Sequence, residues 1–185
     1  MSLLTALESK DAYTQRHSMN VAIHVRALAE RLGASPSDIE TMTTAALLHD
    51  IGKIGVSEAI LTKQGPLTPD EYNAIKTHVD IGVAILSHMS FLDAELPLVQ
   101  HHHEWFNGGG YPRGLSGGDV PFGARVLLVA DTIDAMLSPR CYKDAMSIER
   151  VIGELDRGRG RQFDPAVADA AIAYLKSGEA DRVGA

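Results

Sequence analysis

The sequence predicts an all-α fold, a single helical bundle, and three observations carry that prediction. Aromatic residues are only 5% of the 185-residue chain while hydrophobic residues reach 45%, so the core must be built from Ala, Leu, Ile and Val, which suits packed helices. Apolar residues recur at helical spacing through most of the chain. Strand signals are weak. The run RVLLVA at 125–130 has the look of a buried strand, but it continues into DTIDAML with helical spacing and is read as helix.

The elements follow in order. Val21, Val25, Leu28, Ala29 and Leu32 mark one buried helical face, and Gly33 ends that helix. Ser35 caps the next, with Pro36 at its first position and Asp38 in its first turn, and it runs through IETMTTAALLHD at 39–50. Thr68, Pro69 and Glu71 repeat the device, and YNAIKTHVDIGVAILSH at 72–88 reads as one helix. A further helix is expected from about Asp93 to His103. FGARVLLVADTIDAML at 122–137 is apolar on most faces and is therefore expected at the centre. Asp164 in DPAV caps a last helix. The stretches 52–67 and 107–123 read as irregular, and both directly follow candidate site residues. The whole, 1–185, reads as one domain with a core of about 13–175 and a frayed tail over 176–185.

Composition narrows the function. The formal net charge of −7 argues against non-specific binding of a nucleic-acid polymer. A small anionic substrate stays compatible, because a bound divalent metal reverses the local sign. No apolar run reaches the roughly 18 residues of a membrane span, and no signal peptide opens the chain. Cys141 is the only cysteine, so a disulfide framework and a thiolate zinc site are excluded. A cytoplasmic protein is expected.

The eight histidines are the unusual feature, five of them between His78 and His103. The metal-binding side chains at helix ends or beside loops are His17, the pair His49 and Asp50, His78, the pair His102 and His103, and Asp131. They are spread over different predicted helices and converge only if the bundle is built around them. Seven nitrogen or oxygen ligands exceed what one ion uses and suggest two. Imidazole and carboxylate without sulfur suit iron, manganese or zinc better than magnesium or calcium. Neighbours on a helix point about 100° apart, so the doublet His49–Asp50 needs a broad site, and Asp50 has one carboxylate oxygen for each of two ions.

LLHDIGK at 47–53 together with HHHEWFNGGGYPRGL at 101–115 resembles the HD-GYP family, a branch of the HD metal-dependent phosphohydrolases. The ordered set YTQRHS, HDIGKIGV, THVDIG, HHE…GYP and ARVLLVADTIDAM carries the resemblance from about Tyr13 to Tyr174. It implies a helical bundle of the HD type with a GYP loop, a centre of two or sometimes three divalent ions, and hydrolysis of cyclic di-GMP. Carried over by position, it implies a first ion on His17, His49, Asp50 and Asp131 and a second on Asp50, His78, His102 and His103. Tyr13 stands where members with a third ion carry an acid, so two ions are expected, Fe or Mn, with Zn or Ni as alternatives. The resemblance also gives Asp50 and Lys53 catalytic roles, with Lys53 facing the scissile phosphate. Arg140 and Lys143 match phosphate-gripping residues, and Gly110, Tyr111 and Pro112 are the signature itself. Asn107 replaces the usual Asp, and Pro139 and Cys141 turn the usual DRPY into PRCY.

The implied reaction is attack of a metal-bridged hydroxide on phosphorus, giving pGpG; whether a second cut to GMP follows is left open by the sequence. Asp134, three residues after Asp131, is read as orienting a ligand histidine. The NGGG glycines are read as letting the backbone pass close to bound nucleotide, with Tyr111 and Pro112 as a pocket wall. His24, His88 and His101 are read as having no metal role. The competing readings are a domain that binds a cyclic dinucleotide or a partner without turnover, and a hydrolase of another nucleotide such as cyclic GMP–AMP. A sensor or receiver domain is the partner the family usually attaches.

Overall fold

The structure, a computed structural model, describes residues 12–138 and 145–183. Arg140 and Lys143, with Pro139 and Cys141, lie outside the described residues. The described part is all-helical, as expected; pairing of extended backbone is limited to isolated bridges at Asn107–Ser116 and Arg159–Phe163.

Three long helices make the frame. Helix α1 (Ala12–Arg31) packs against α2 (Pro36–Leu48) and against α7 (Phe122–Leu137). Val21, Val25, Leu28 and Ala29 of α1 are fully buried, which bears out the predicted face. Gly33 takes φ +73 after α1, and the Ser35 hydroxyl accepts from the Asp38 N–H to start α2. Helix α7 is central, with nine buried positions from Gly123 to Asp134. A side chain such as Leu127, removed from water on every side, contributes roughly 1.5–3 kcal/mol. A helix so enclosed is a rigid platform for the two aspartates it carries.

The middle of the chain departs from expectation at two helices. Residues 72–88 form α4 (Pro69–Lys76) and α5 (His78–Leu86) in place of one helix; a short α3 (Glu58–Leu61) precedes them. The Thr68–Glu71 capping box starts α4 as predicted. At the break, the Thr77 hydroxyl donates to the Ala74 carbonyl at 2.7 Å and the His78 ring takes the Ile75 carbonyl, so side chains use acceptors that a continuous ladder needs. The helix expected from Asp93 begins only at Leu96 and is short, α6 (Leu96–His101). Pro97 has no N–H and is tolerated only in a first turn, which fixes the start.

Two further differences lie near the C-terminus. Helix α8 (Ile148–Gly158), capped by Ser147, was not anticipated, although Ile148, Val151, Ile152 and Leu155 follow helical spacing and Val151 and Leu155 are buried. Helix α9 (Pro165–Lys176) is capped by the Asp164 carboxylate as predicted. The expected frayed tail instead folds back as a turn at Glu179–Arg182: Ala180 is buried, and Glu179 accepts from Arg31 at 2.5 Å.

Candidate metal centre

The sequence-predicted side chains come from five places in the chain and meet in one cluster. His17 projects from α1, His49 and Asp50 from the end of α2, His78 from the start of α5, His102 and His103 from just past α6, and Asp131 from α7. Ligand-capable atoms of His17, His49 and Asp50 lie within 4.8 Å of one another, as do those of His78, His102 and His103. Asp131 Oδ1 is 3.2 Å from His17 Nε2.

Asp50 joins the two groups. Its Oδ2 faces His49 Nε2 at 3.4 Å and His17 Nε2 at 3.8 Å, while Oδ1 faces His78 Nε2 at 3.6 Å. The doublets achieve this because they sit where helices end. Asp50 has φ −98 and ψ 6, off the helical path, as the chain turns into the Ile51–Gly55 3₁₀ segment. That segment lies directly against α5: a Cβ on Gly52 would stand 1.8 Å from the His78 carbonyl oxygen. Gly52 therefore permits a close backbone approach that draws His78 to Asp50.

The histidines are held in one tautomer. The Nδ1 atoms of His49, His78 and His102 lie 2.7, 2.7 and 2.6 Å from the carbonyl oxygens of Ala46, Ile75 and Val99. A carbonyl only accepts, so each Nδ1 carries the proton and each Nε2 presents a lone pair to the cluster. The corresponding partner of His17 is a carboxylate: its Nδ1 donates to Asp134 Oδ2 at 2.6 Å. Asp134 is itself fixed by Asn20 at 2.9 Å and Ser138 at 3.0 Å. This arrangement of imidazoles backed by carbonyl or carboxylate acceptors is the one that metal sites use. His49 Nε2 is buried and has no hydrogen-bond partner among the described residues. An uncompensated nitrogen in that position suits a cation, and the donor set as a whole fits divalent metal.

Electrostatics agree with that fit. Burial opposes charge on His17, but its hydrogen bonds to Asp131 and Asp134 and the charges of Asp131 and Asp50 together hold it up at about 9. Without metal, a proton occupies the position that a cation would take. Burial opposes ionisation of Asp50 too, yet Lys53 and the surrounding histidines keep it well below the ordinary carboxylate range. Burial, helped by the charge of His78, pushes His103 down to about 4, and burial likewise lowers His102 and His78. All three are neutral imidazoles at pH 7, ready to bind metal.

The remaining expected site residues divide. Lys53 places its Nζ 2.5 Å from Asp50 Oδ2, at the edge of the cluster. Tyr111 stacks on His103 with ring centroids 4.7 Å apart, and its N–H donates to the His103 carbonyl. At Gly110 a Cβ would stand 2.3 Å from both His103 O and Trp105 N, so the missing side chain lets the loop pack closely on its own backbone. The Tyr111–Pro112 peptide is cis. The buried Glu104 carboxylate ties the loop down by accepting from Arg113 N at 2.6 Å and Leu115 N at 3.1 Å. His24, His88 and His101 lie outside both ligand groups; His24 instead pairs with the Tyr174 hydroxyl at 2.9 Å.

A cleft of about 420 Å³ opens beside the cluster, lined by His103, Tyr111 and Asp131 and also by Tyr72, Trp105 and Gln162. Sequence reasoning singled out none of the last three. Tyr72 follows an α4 cap, Trp105 sits inside the signature, and Gln162 precedes the Asp164 cap, so no local pattern separates them from surface residues.

Residues 2–167 match the HD domain family. Over 91% of its length the chain is 37% identical to a "Probable cyclic di-GMP phosphodiesterase" of Vibrio cholerae, covering 42% of that protein. Over 94% it is 33% identical to a "3'3'-cGAMP-specific phosphodiesterase 2" of the same organism, covering 34%. The chain spans less than half the length of these curated relatives. In fold it is similar to an "HDG'Y'P protein" from Bdellovibrio bacteriovorus, with a TM-score of 0.73 at 22% identity over 88% of this chain and 52% of that one. The helical frame, the converging His and Asp side chains and the matched residues agree: the chain belongs to the HD domain family.

Proposed function

We propose that this chain is a metal-dependent phosphodiesterase that hydrolyses cyclic di-GMP to pGpG. The observation that carries the reading is Asp50, whose two oxygens face two separate groups of imidazole nitrogens across one buried cluster. His17, His49, Asp50 and Asp131 would hold one divalent ion, and Asp50, His78, His102 and His103 a second. Nitrogen and oxygen donors favour Fe or Mn, with Zn or Ni as alternatives. Such ions, when bound, would lower the pKa of a bound water and offset the negative charge of a phosphodiester. The chain's own residues do the rest. His17, His49, His78, His102 and His103 would supply five imidazole ligands, Asp134 keeps the His17 ring oriented, and Lys53 brings a positive charge to the side where phosphate charge accumulates. Tyr111 stacks on His103 and restrains that ring.

The names of the relatives support cyclic dinucleotides as the substrate class, and cyclic GMP–AMP is the second reading that the V. cholerae relative favours. Arg140 and Lys143 are proposed to grip phosphate. A sensor or receiver segment is the proposed regulatory partner, and the cytoplasm the proposed compartment; among the described residues no helix is long and apolar enough to cross a membrane. The test is incubation of Mn- or Fe(II)-loaded protein with cyclic di-GMP, with nucleotides separated by chromatography. Appearance of pGpG is expected. Metal-loaded protein that leaves both cyclic di-GMP and cyclic GMP–AMP uncut over hours contradicts the reading.

A further inference from the structure

We propose that Gln162 reads the edge of a purine base in the cleft beside Asp131, and that it accepts guanine and adenine alike. This rests on the cyclic-dinucleotide reading above and names the residue that sets base preference.

Gln162 is half-buried and lines the cleft with Tyr72, Trp105, Tyr111 and Asp131. Its backbone is fixed from two sides. Phe106 N donates to the Gln162 carbonyl at 3.1 Å and Asn107 N to the Arg161 carbonyl at 2.8 Å, which ties this turn to the GYP loop. Behind it, Phe163 is buried and Asp164 caps α9. The side-chain amide, by contrast, has no hydrogen-bond partner among the described residues. A well-anchored residue whose donor and acceptor are both unspent at a cleft wall is suited to a ligand's polar edge. The same cleft presents Tyr72 and Trp105, 47% and 38% exposed. Exposed rings beside an unpartnered amide fit a planar base: rings take its face and the amide its edge.

The chemistry of that edge decides the preference. Guanine offers the O6 acceptor beside the N1–H donor, and adenine offers the N6–H donor beside the N1 acceptor. A carboxamide carries one acceptor and one donor group, and a flip of the amide matches it to either base. A carboxylate only accepts. It suits the N1–H and N2–H donors of guanine and opposes the N1 lone pair of adenine.

The experiment is calorimetric titration of Mn-supplied wild type, Gln162→Ala and Gln162→Glu with non-hydrolysable phosphorothioate analogues of cyclic di-GMP and cyclic di-AMP. Wild type should bind both analogues within about tenfold of each other, and Gln162→Ala should weaken both by about tenfold or more. Gln162→Glu should favour the guanine analogue by about tenfold or more. Both analogues carry the same phosphate charge, so repulsion by the new carboxylate cancels in that ratio. A variant that misfolds is replaced by Gln162→Asn, which keeps the amide but withdraws it from the cleft and should weaken both analogues. Affinities and ratio that ignore position 162, a strong wild-type preference for one base, or no wild-type binding at all would overturn the proposal. Turnover of the native dinucleotides is scored separately. Binding that depends on Gln162 without hydrolysis sinks the hydrolase reading alone, and hydrolysis indifferent to Gln162 sinks this one alone.

Discussion

His17 and His24 lie two turns apart on α1, both buried, and their surroundings treat them in opposite ways. His17 meets Asp131, Asp134 and Asp50, which outweigh its burial and hold it up at about 9. His24 meets the neutral Tyr174 hydroxyl; burial dominates there and drives it down to about 4, with the charge of Asp134 opposing and that of His17 assisting. One ring is placed to exchange a proton for a cation, and the other is a hydrogen-bonded part of the core. Residue type and helical face are the same, so tertiary partners alone separate a ligand from a packing residue.

The comparison can be broken at the carboxylates. Asp50→Ala removes the one group shared by both halves of the cluster and should take turnover below detection with loss of bound metal, while circular dichroism shows the helices retained. Retention of full metal content would detach Asp50 from the centre. Lys53→Ala should keep metal and lower kcat by about 10²–10³-fold, the usual effect of deleting one transition-state charge donor; an unchanged rate would deny Lys53 contact with phosphate. Asp134→Ala leaves the ligands in place but frees the His17 ring, and metal affinity should fall about 10–100-fold in a competition titration.

The smallest effect is on His24, and it sharpens the contrast. Its folded pKa of about 4 lies below the ordinary value of about 6.5, so between those values the unfolded chain binds the extra proton. Stability is therefore full above pH 6.5 and declines as pH falls toward 4, by on the order of 3 kcal/mol from this residue at about 1.36 kcal/mol per pH unit. His24→Phe should keep its metal and flatten that part of the decline in urea unfolding between pH 7 and 4. Loss of metal in His24→Phe would erase the distinction between the two histidines.

What the sequence made legible follows from the same physics. Caps are local chemistry, and Ser35, Thr68 and Asp164 each start a helix as read. Metal-ligand types at helix ends are also local, and His17, His49, Asp50, His78, His102, His103 and Asp131 converge as they must for a shared site. The break at Thr77 was not legible, because it depends on side chains taking carbonyls that a regular helix would use. The packing roles of Gly52 and Gly110 were not legible either, because each accommodates backbone of another segment that only the fold brings close. Tyr72, Trp105 and Gln162 share a cleft only after folding, so nothing in their own segments marks them.

The most direct measurement is anomalous diffraction from crystals of metal-loaded protein, with metal content determined on the same sample. Two ions per chain are predicted, one among His17, His49 and Asp131 and the other among His78, His102 and His103, with Asp50 touching both. A single ion, or ions that leave Asp50 untouched, would contradict the account.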